Sequence, residues 1–435
     1  MKKRLNPMSL EQCASVILLG RLLAASVLLA MTPIEALAAS PGYTFKVVAY
    51  IGDAAPGGGA FVNDFEPGRL NNHGQLAFTA EPELPFQEAI FLAGGGTLQQ
   101  IMRFGQSAPG GGLFSTSELG VIGLNDAGDL AFSFTLEPFN FGPPVYGGTY
   151  RWSHQTQTLS PIVIPGVTPV PGLPGSVFTG VDFDVQLNNL GRVVFNGFLN
   201  TPAGPATGIF QQDKSGHLTS LVLPGDPAPG GGTFDFVHDT GLNDGGDVAF
   251  EGAAGGGNPQ IYLWRFGTGQ VEALPLPPGT VVALTPLINN RGDVAFQAFG
   301  DTAAGLFLRS RGSTIPVALV GAPAPGGGNF LFISQLFSGE QLSLNNVGDV
   351  AFDAATDTGD EAMYLFSQAT GTLRRVFGIG TVIPGVGTIA NLEELGFFAP
   401  LSNANLNDRG QISFVAMVSD GSTSRGALLI ATPAP

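Results

Sequence analysis

Apolar residues in this chain fall in short runs bounded by Gly, Pro, Asn or Asp, and no apolar pattern of period 3.6 persists. Runs that follow an Asn-rich turn are apolar at every position: Leu76-Ala77-Phe78, Leu130-Ala131-Phe132, Val248-Ala249-Phe250 and Val350-Ala351-Phe352. A sheet with one wet face would alternate apolar and polar side chains. Large–small–large at successive positions predicts instead a strand covered on both faces, large side chains meeting small ones.

The turn before each run recurs seven times. Its first residue is Asn71, Asn125, Asn188, Asn243, Asn289, Asn345 or Asn407, and Asn or Asp follows in every copy. Such side chains hydrogen-bond their own backbone and initiate turns. Three positions after the first Asn stands Gly74, Gly128, Gly191, Gly246, Gly292, Gly348 or Gly410. Glycine there suits a left-handed backbone, so the stretch reads as a hairpin turn. Gly256, in a variable loop, is expected to have no such requirement.

Around the turns the units share one order of parts. From Gly216, "HLTSLVLPGD" reads as an outer strand, "PAPGGGTF" as a connection and "DFVHDTGL" as an inner strand. "NDGG" is the turn, "DVAFEG" a second strand and "QIYLWRF" a third. Repeats of 46 to 63 residues, with four short strands each, predict a propeller or array. The ends of the chain choose between them. "YTFKVVAYIGDAAPGGGAF" is an outer strand with nothing before it, and the last unit, ending "RGALLIATPAP", lacks its outer strand. Pairing the two closes a ring, whereas an open solenoid would want polar capping units. The expectation is an all-β, seven-bladed propeller of four-stranded blades over residues 39–435, closed by its N-terminal strand and monomeric.

The motif of Asn, two residues, Gly, two residues, Ala-Phe resembles that of the bacterial exported tandem-repeat family named for NxxGxxAF, the "choice-of-anchor" proteins. The copies at Asn71, Asn125, Asn243, Asn289 and Asn345 fit throughout, while Val194 and Ser413 replace Ala in the other two. The resemblance implies export and a surface or extracellular role, and transfers no biochemical activity. Many members end in a sorting anchor. Here "ATPAP" stands where an apolar helix and basic tail would begin, which favours free release or a truncated reading frame.

The N-terminus agrees with export. "MKKR", the apolar run Leu22 to Met31 and small-residue cleavage sites after Ala38 or Ala39 read as a signal peptide over residues 1–38. Cleavage would remove Lys2, Lys3, Arg4 and Arg21 with Glu11 and Glu35, taking the net charge from −16 to −18. An acidic surface excludes nucleic acid and anionic lipid as partners. The only cysteine, Cys13, lies within the signal, so the mature chain has no disulfide. No second apolar run is long enough to span a membrane.

Candidate chemistry is sparse. Asp126 with Asp129, and Asp244 with Asp247, place carboxylates three residues apart and are the best calcium candidates. No copy carries a dense D-x-D-x-D-G ligand run, so no metal or other cofactor is expected. "APGGG" at Ala55, Ala108, Ala228 and Ala324 lacks the Lys-Ser/Thr and helix of a phosphate cradle and reads as blade connections. His73, His154, His217 and His238 are scattered along the chain without metal-ligand spacing. Trp152 and Trp264 take equivalent third-strand positions and read as packing rather than sugar platforms. No catalytic residue is identified. Uniform "PGGG" connections and variable second-to-third loops emerge on one face, which points to non-catalytic binding of a glycan or protein. The alternative is a hydrolase or lyase acting on an extracellular polymer, with its site at the central axis.

Overall fold

The computed structural model describes residues 42–434 except 64, 84–86, 116–121, 138–146, 202–203, 334–341 and 393–404. The signal-peptide expectation and Cys13 lie outside the described residues. Seven antiparallel sheets of four or more strands follow one another along the chain, and the described residues contain no helix. Each sheet is a blade running from an inner strand at the axis to an outer one. Blade 4, for example, runs Phe234–Leu242, Val248–Ala254, Gln260–Arg265, Gln270–Ala273.

Blade 7 is built from both ends of the chain. Its second and third strands are Ile412–Ser419 and Ser424–Pro433, and its outer strand is the N-terminal Tyr43–Tyr50. Tyr43 lies opposite Pro433 and Tyr50 opposite Ala427. The chain's first described strand thus occupies an edge that would otherwise expose a row of unpaired backbone groups.

The core is divided among the blade interfaces, with one apolar cluster in each. The motif explains the division. In a strand, successive side chains point to opposite faces. Phe250 packs towards blade 3, whereas Ala249 faces blade 5 and leaves room for Phe296. The same holds for Phe132 and Ala131, and for Phe352 and Ala351. Most motif Phe rings lie against an aromatic ring of the third strand, as in the stacked pair Phe250–Tyr262 at 5.5 Å. Val194 and Ser413, which replace Ala, are also fully buried.

Each motif turn is a four-residue turn closed by a backbone bond, such as Gly74 N–H to Asn71 O at 3.0 Å. The seven motif glycines hold φ between +73° and +89°. Gly256, expected to be free of this requirement, also has φ +74°; the two sites differ in space, since a Cβ on Gly246 would lie 3.0 Å from Phe266 while one on Gly256 meets nothing. The four "PGGG" connections use three consecutive left-handed glycines, for instance Gly230, Gly231 and Gly232, to turn the chain into the next inner strand.

Candidate functional site

The seven motif turns meet at the axis, where they line a cavity of about 170 Å³. Each first Asn works in two directions. Its Oδ1 accepts backbone N–H groups of its own turn, as Asn188 does from Leu190 and Arg192. Its Nδ2 donates to the main-chain carbonyl of the corresponding Asn in the next blade. All seven such bonds are present, at 2.9–3.4 Å, and Asn407 to Asn71 completes the circle at 2.9 Å.

A second ring follows from the next motif residue. Its backbone N–H donates to the side-chain Oδ1 of its counterpart one blade on, at 2.7–2.8 Å in all seven cases. Asn and Asp both offer that oxygen, which is why either serves here. In order around the axis the members are Asn72, Asp126, Asn189, Asp244, Asn290, Asn346 and Asp408. The three carboxylates are never neighbours, and each accepts a bond from a flanking Asn amide, as Asp244 does from Asn189 at 3.1 Å and Asn290 at 2.6 Å.

The paired aspartates singled out in the sequence do not converge. Asp126 and Asp244 belong to the axial ring. Asp129 turns outward to accept the His154 N–H at 2.9 Å, and Asp247 accepts from Phe266 N–H and Arg265, both at 3.0 Å. Among the described residues no three His, Cys, Asp or Glu side chains gather as metal ligands. Trp152 is buried in a blade interface and Trp264 is half-buried against another.

Sequence reasoning passed over a third feature. The residue after the motif Phe is polar and buried in six blades: Thr79, Ser133, Asn196, Glu251, Gln297 and Asp353. It shares the face of the motif Ala and so looks into the next blade. At its height the inner strands of blades 1, 3, 4 and 5 bulge. Blades 3 and 4 thereby gather charge. His238 Nε2 lies 2.5 Å from Asp182 Oδ2, and its Nδ1 lies 2.8 Å from Asp239 Oδ1. Burial pulls the imidazole pKa down, but hydrogen bonds to both carboxylates outweigh it and raise the value to about 11. Burial, helped by the charge of Asp239, pushes Glu251 up to about 8. The same two causes raise Asp184 to about 6, although it accepts from Thr240 and Gln186. Gln186 in turn accepts from Arg69 of blade 1 at 3.1 Å. Asp239 and Thr285 sit at φ +33° and +52°, left-handed positions that non-glycine residues resist. The signal available in the sequence was acids interrupting apolar inner strands, as in "VDFDVQL" and "VHDTGL".

Blade connections and second-to-third loops share one end of the propeller. Backbone bonds join them directly, as Val62 N–H to Glu81 O at 3.0 Å and Asp357 N–H to Asn329 O at 2.9 Å. This loop face carries most of the exposed large apolar side chains, among them Val62, Val167, Phe236, Val281, Leu331 and Phe332. Phe332 is 53% exposed and Val167 65%. The opposite face, made of the motif turns and third-to-fourth turns, exposes Leu190, Phe266 and Val347.

Fold and motif define a seven-bladed propeller whose blades are joined by an axial ring of asparagines. The chain matches the model described as "Family of unknown function (DUF7453)" over residues 82–261 and 273–430, and it belongs to that family. No curated protein matches it. Solved structures similar to it include a puromycin hydrolase S511A mutant, at 13% identity and TM-score 0.49, covering 81% of this chain and 50% of that one. A Pyrococcus horikoshii acylaminoacyl peptidase matches at 10% identity and TM-score 0.48, over 86% and 52%. A structure reported in a study of two prolyl endopeptidases matches at 12% identity and TM-score 0.47, over 85% and 50%. The chain therefore spans about half the length of these proteins, and at such identities and TM-scores the likeness carries no argument.

Proposed function

We propose that this is an exported, non-catalytic binding protein that engages a protein or glycan through its loop face. The observation that carries the reading is that most of the exposed large apolar side chains lie on that face, Phe236, Leu331 and Phe332 among them. Apolar surface displayed at one end of a fold marks an interaction site more readily than single exposed side chains scattered over the whole surface. Rigid blades holding variable loops at one end suit recognition. The test is binding of the mature protein to a glycan array and to isolated cell-surface protein. Phe236→Asp and Phe332→Asp should abolish capture without changing the urea midpoint. Equal loss from Leu190→Asp, on the turn face, would place the ligand elsewhere.

One observation favours a second reading, a hydrolase or lyase: the meeting of Asp182, His238, Asp239, Asp184 and Glu251 between two neighbouring blades, none of which lines the axial cavity. Carboxyl groups whose environments hold them at different protonation states at one pH are the requirement for acid–base work. Turnover of an extracellular polysaccharide, lost in Asp182→Asn and His238→Ala, would establish it. Unchanged turnover in both variants would dismiss it.

A further inference from the structure

Charge divides between the two faces as unevenly as apolar surface does. The loop face exposes Asp53, Glu83, Asp235, Asp301, Asp357 and Asp420. Its cations are engaged already. Arg103 pairs with Glu83 at 3.1 Å, Arg375 pairs with Asp360 at 2.8 Å, and Arg425 lies over the Tyr50 ring at 3.4 Å. The turn face is different: it exposes Lys214, Arg311 and Arg409 beside its acids, as well as Arg291, which pairs with Asp293 at 2.8 Å. The net negative charge of the chain is thus displayed chiefly where the apolar side chains are.

We infer that the partner of the loop face is a basic protein segment, one that presents Lys or Arg alongside apolar side chains. The inference rests on the loop face being the binding surface and adds the chemistry of what it takes. Phe236, Leu331 and Phe332 would bury apolar groups, while the surrounding carboxylates select positive charge and repel acidic partners. A neutral glycan could donate to the carboxylates but would leave the aliphatic Val62, Val281 and Leu331 unused.

The test uses the mature chain and two short probe peptides, one alternating Lys and Leu, the other Glu and Leu, followed by fluorescence anisotropy. The Lys/Leu peptide should bind, and binding should weaken about tenfold or more between low and high salt as screening rises. Phe332→Ser and Asp301→Lys should each weaken it about fivefold or more, in line with loss of an anchor or a charge reversal at an interface. Val347→Lys, which alters charge and apolar surface on the turn face, should leave it unchanged. Equal binding of the Glu/Leu peptide, or equal sensitivity to Val347→Lys, would overturn the inference. If instead an uncharged oligosaccharide or a neutral protein binds and Phe332→Ser abolishes it, the loop face remains the binding surface and only its cationic partner falls. If no ligand responds to loop-face substitutions, both fall.

Discussion

The axial ring makes a sharp demand on one side chain. At the first motif position the amide must donate across to the next blade while its oxygen accepts from its own turn. Asn188 is 5% exposed and makes three such bonds: Nδ2 to Asn243 O at 2.9 Å, and Oδ1 from Leu190 N–H at 3.1 Å and Arg192 N–H at 2.9 Å. Asn188→Ala removes all three, for about 3 kcal/mol at a net of about 1 kcal/mol each. Asn188→Asp keeps both accepting bonds. It loses the donor, however, and sets a carboxylate oxygen against the Asn243 carbonyl in a buried site, for about 3–5 kcal/mol. The control is the reverse change at the second position. Asp126→Asn forfeits only the 3.2 Å bond from Asn72 Nδ2, which still donates to Asp408 at 2.8 Å, so the loss should stay below about 1 kcal/mol. Urea unfolding reads the difference as a shift of midpoint at constant slope. If Asn188→Asp is tolerated as well as Asp126→Asn, the amide does not join the blades and the reasoning fails.

Three further outcomes can be measured. Thr44→Cys with Thr432→Cys, an adjacent pair in the blade 7 register, should oxidise in the folded protein and stabilise it by up to about 5 kcal/mol, read as a higher urea midpoint; failure to oxidise would contradict the pairing of the chain ends. Glu251, Asp184 and His238 all have raised folded-state pKa values, to about 8, 6 and 11, so each contributes stability at low pH that is lost as pH rises through its folded value. The melting temperature should therefore fall between pH 5 and 8, and Glu251→Gln should flatten much of that fall; an unchanged slope would refute the assignment. Excess EDTA should leave the melting temperature where it was, and a drop of many degrees would promote Asp126, Asp129, Asp244 and Asp247 to calcium ligands.

The sequence by itself determined the parts and their number. Seven Asn-x-x-Gly turns, each followed by an Ala-Phe strand apolar on both faces, specify seven units, because turn chemistry and side-chain alternation are local properties. The orphan outer strand at Tyr43–Tyr50 announced its partner for the same reason: a repeat with one piece moved shows where the piece belongs. Even the distinction between the motif's first two positions was legible, since the first is always Asn and the second is Asn or Asp. What that distinction does was decided only by tertiary structure. The Nδ2 of Asn407 meets the carbonyl of Asn71 across 336 residues, a contact that exists only once the ring has closed. The gathering of Asp182, His238, Asp239 and Glu251 is of the same kind. These residues come from two blades, and they meet because the inner strands bulge at one height and converge towards the axis. A period of about 56 residues carries no record of that radial distance, because the angle between blades is set by how Phe on one packs against Ala on the blade before it.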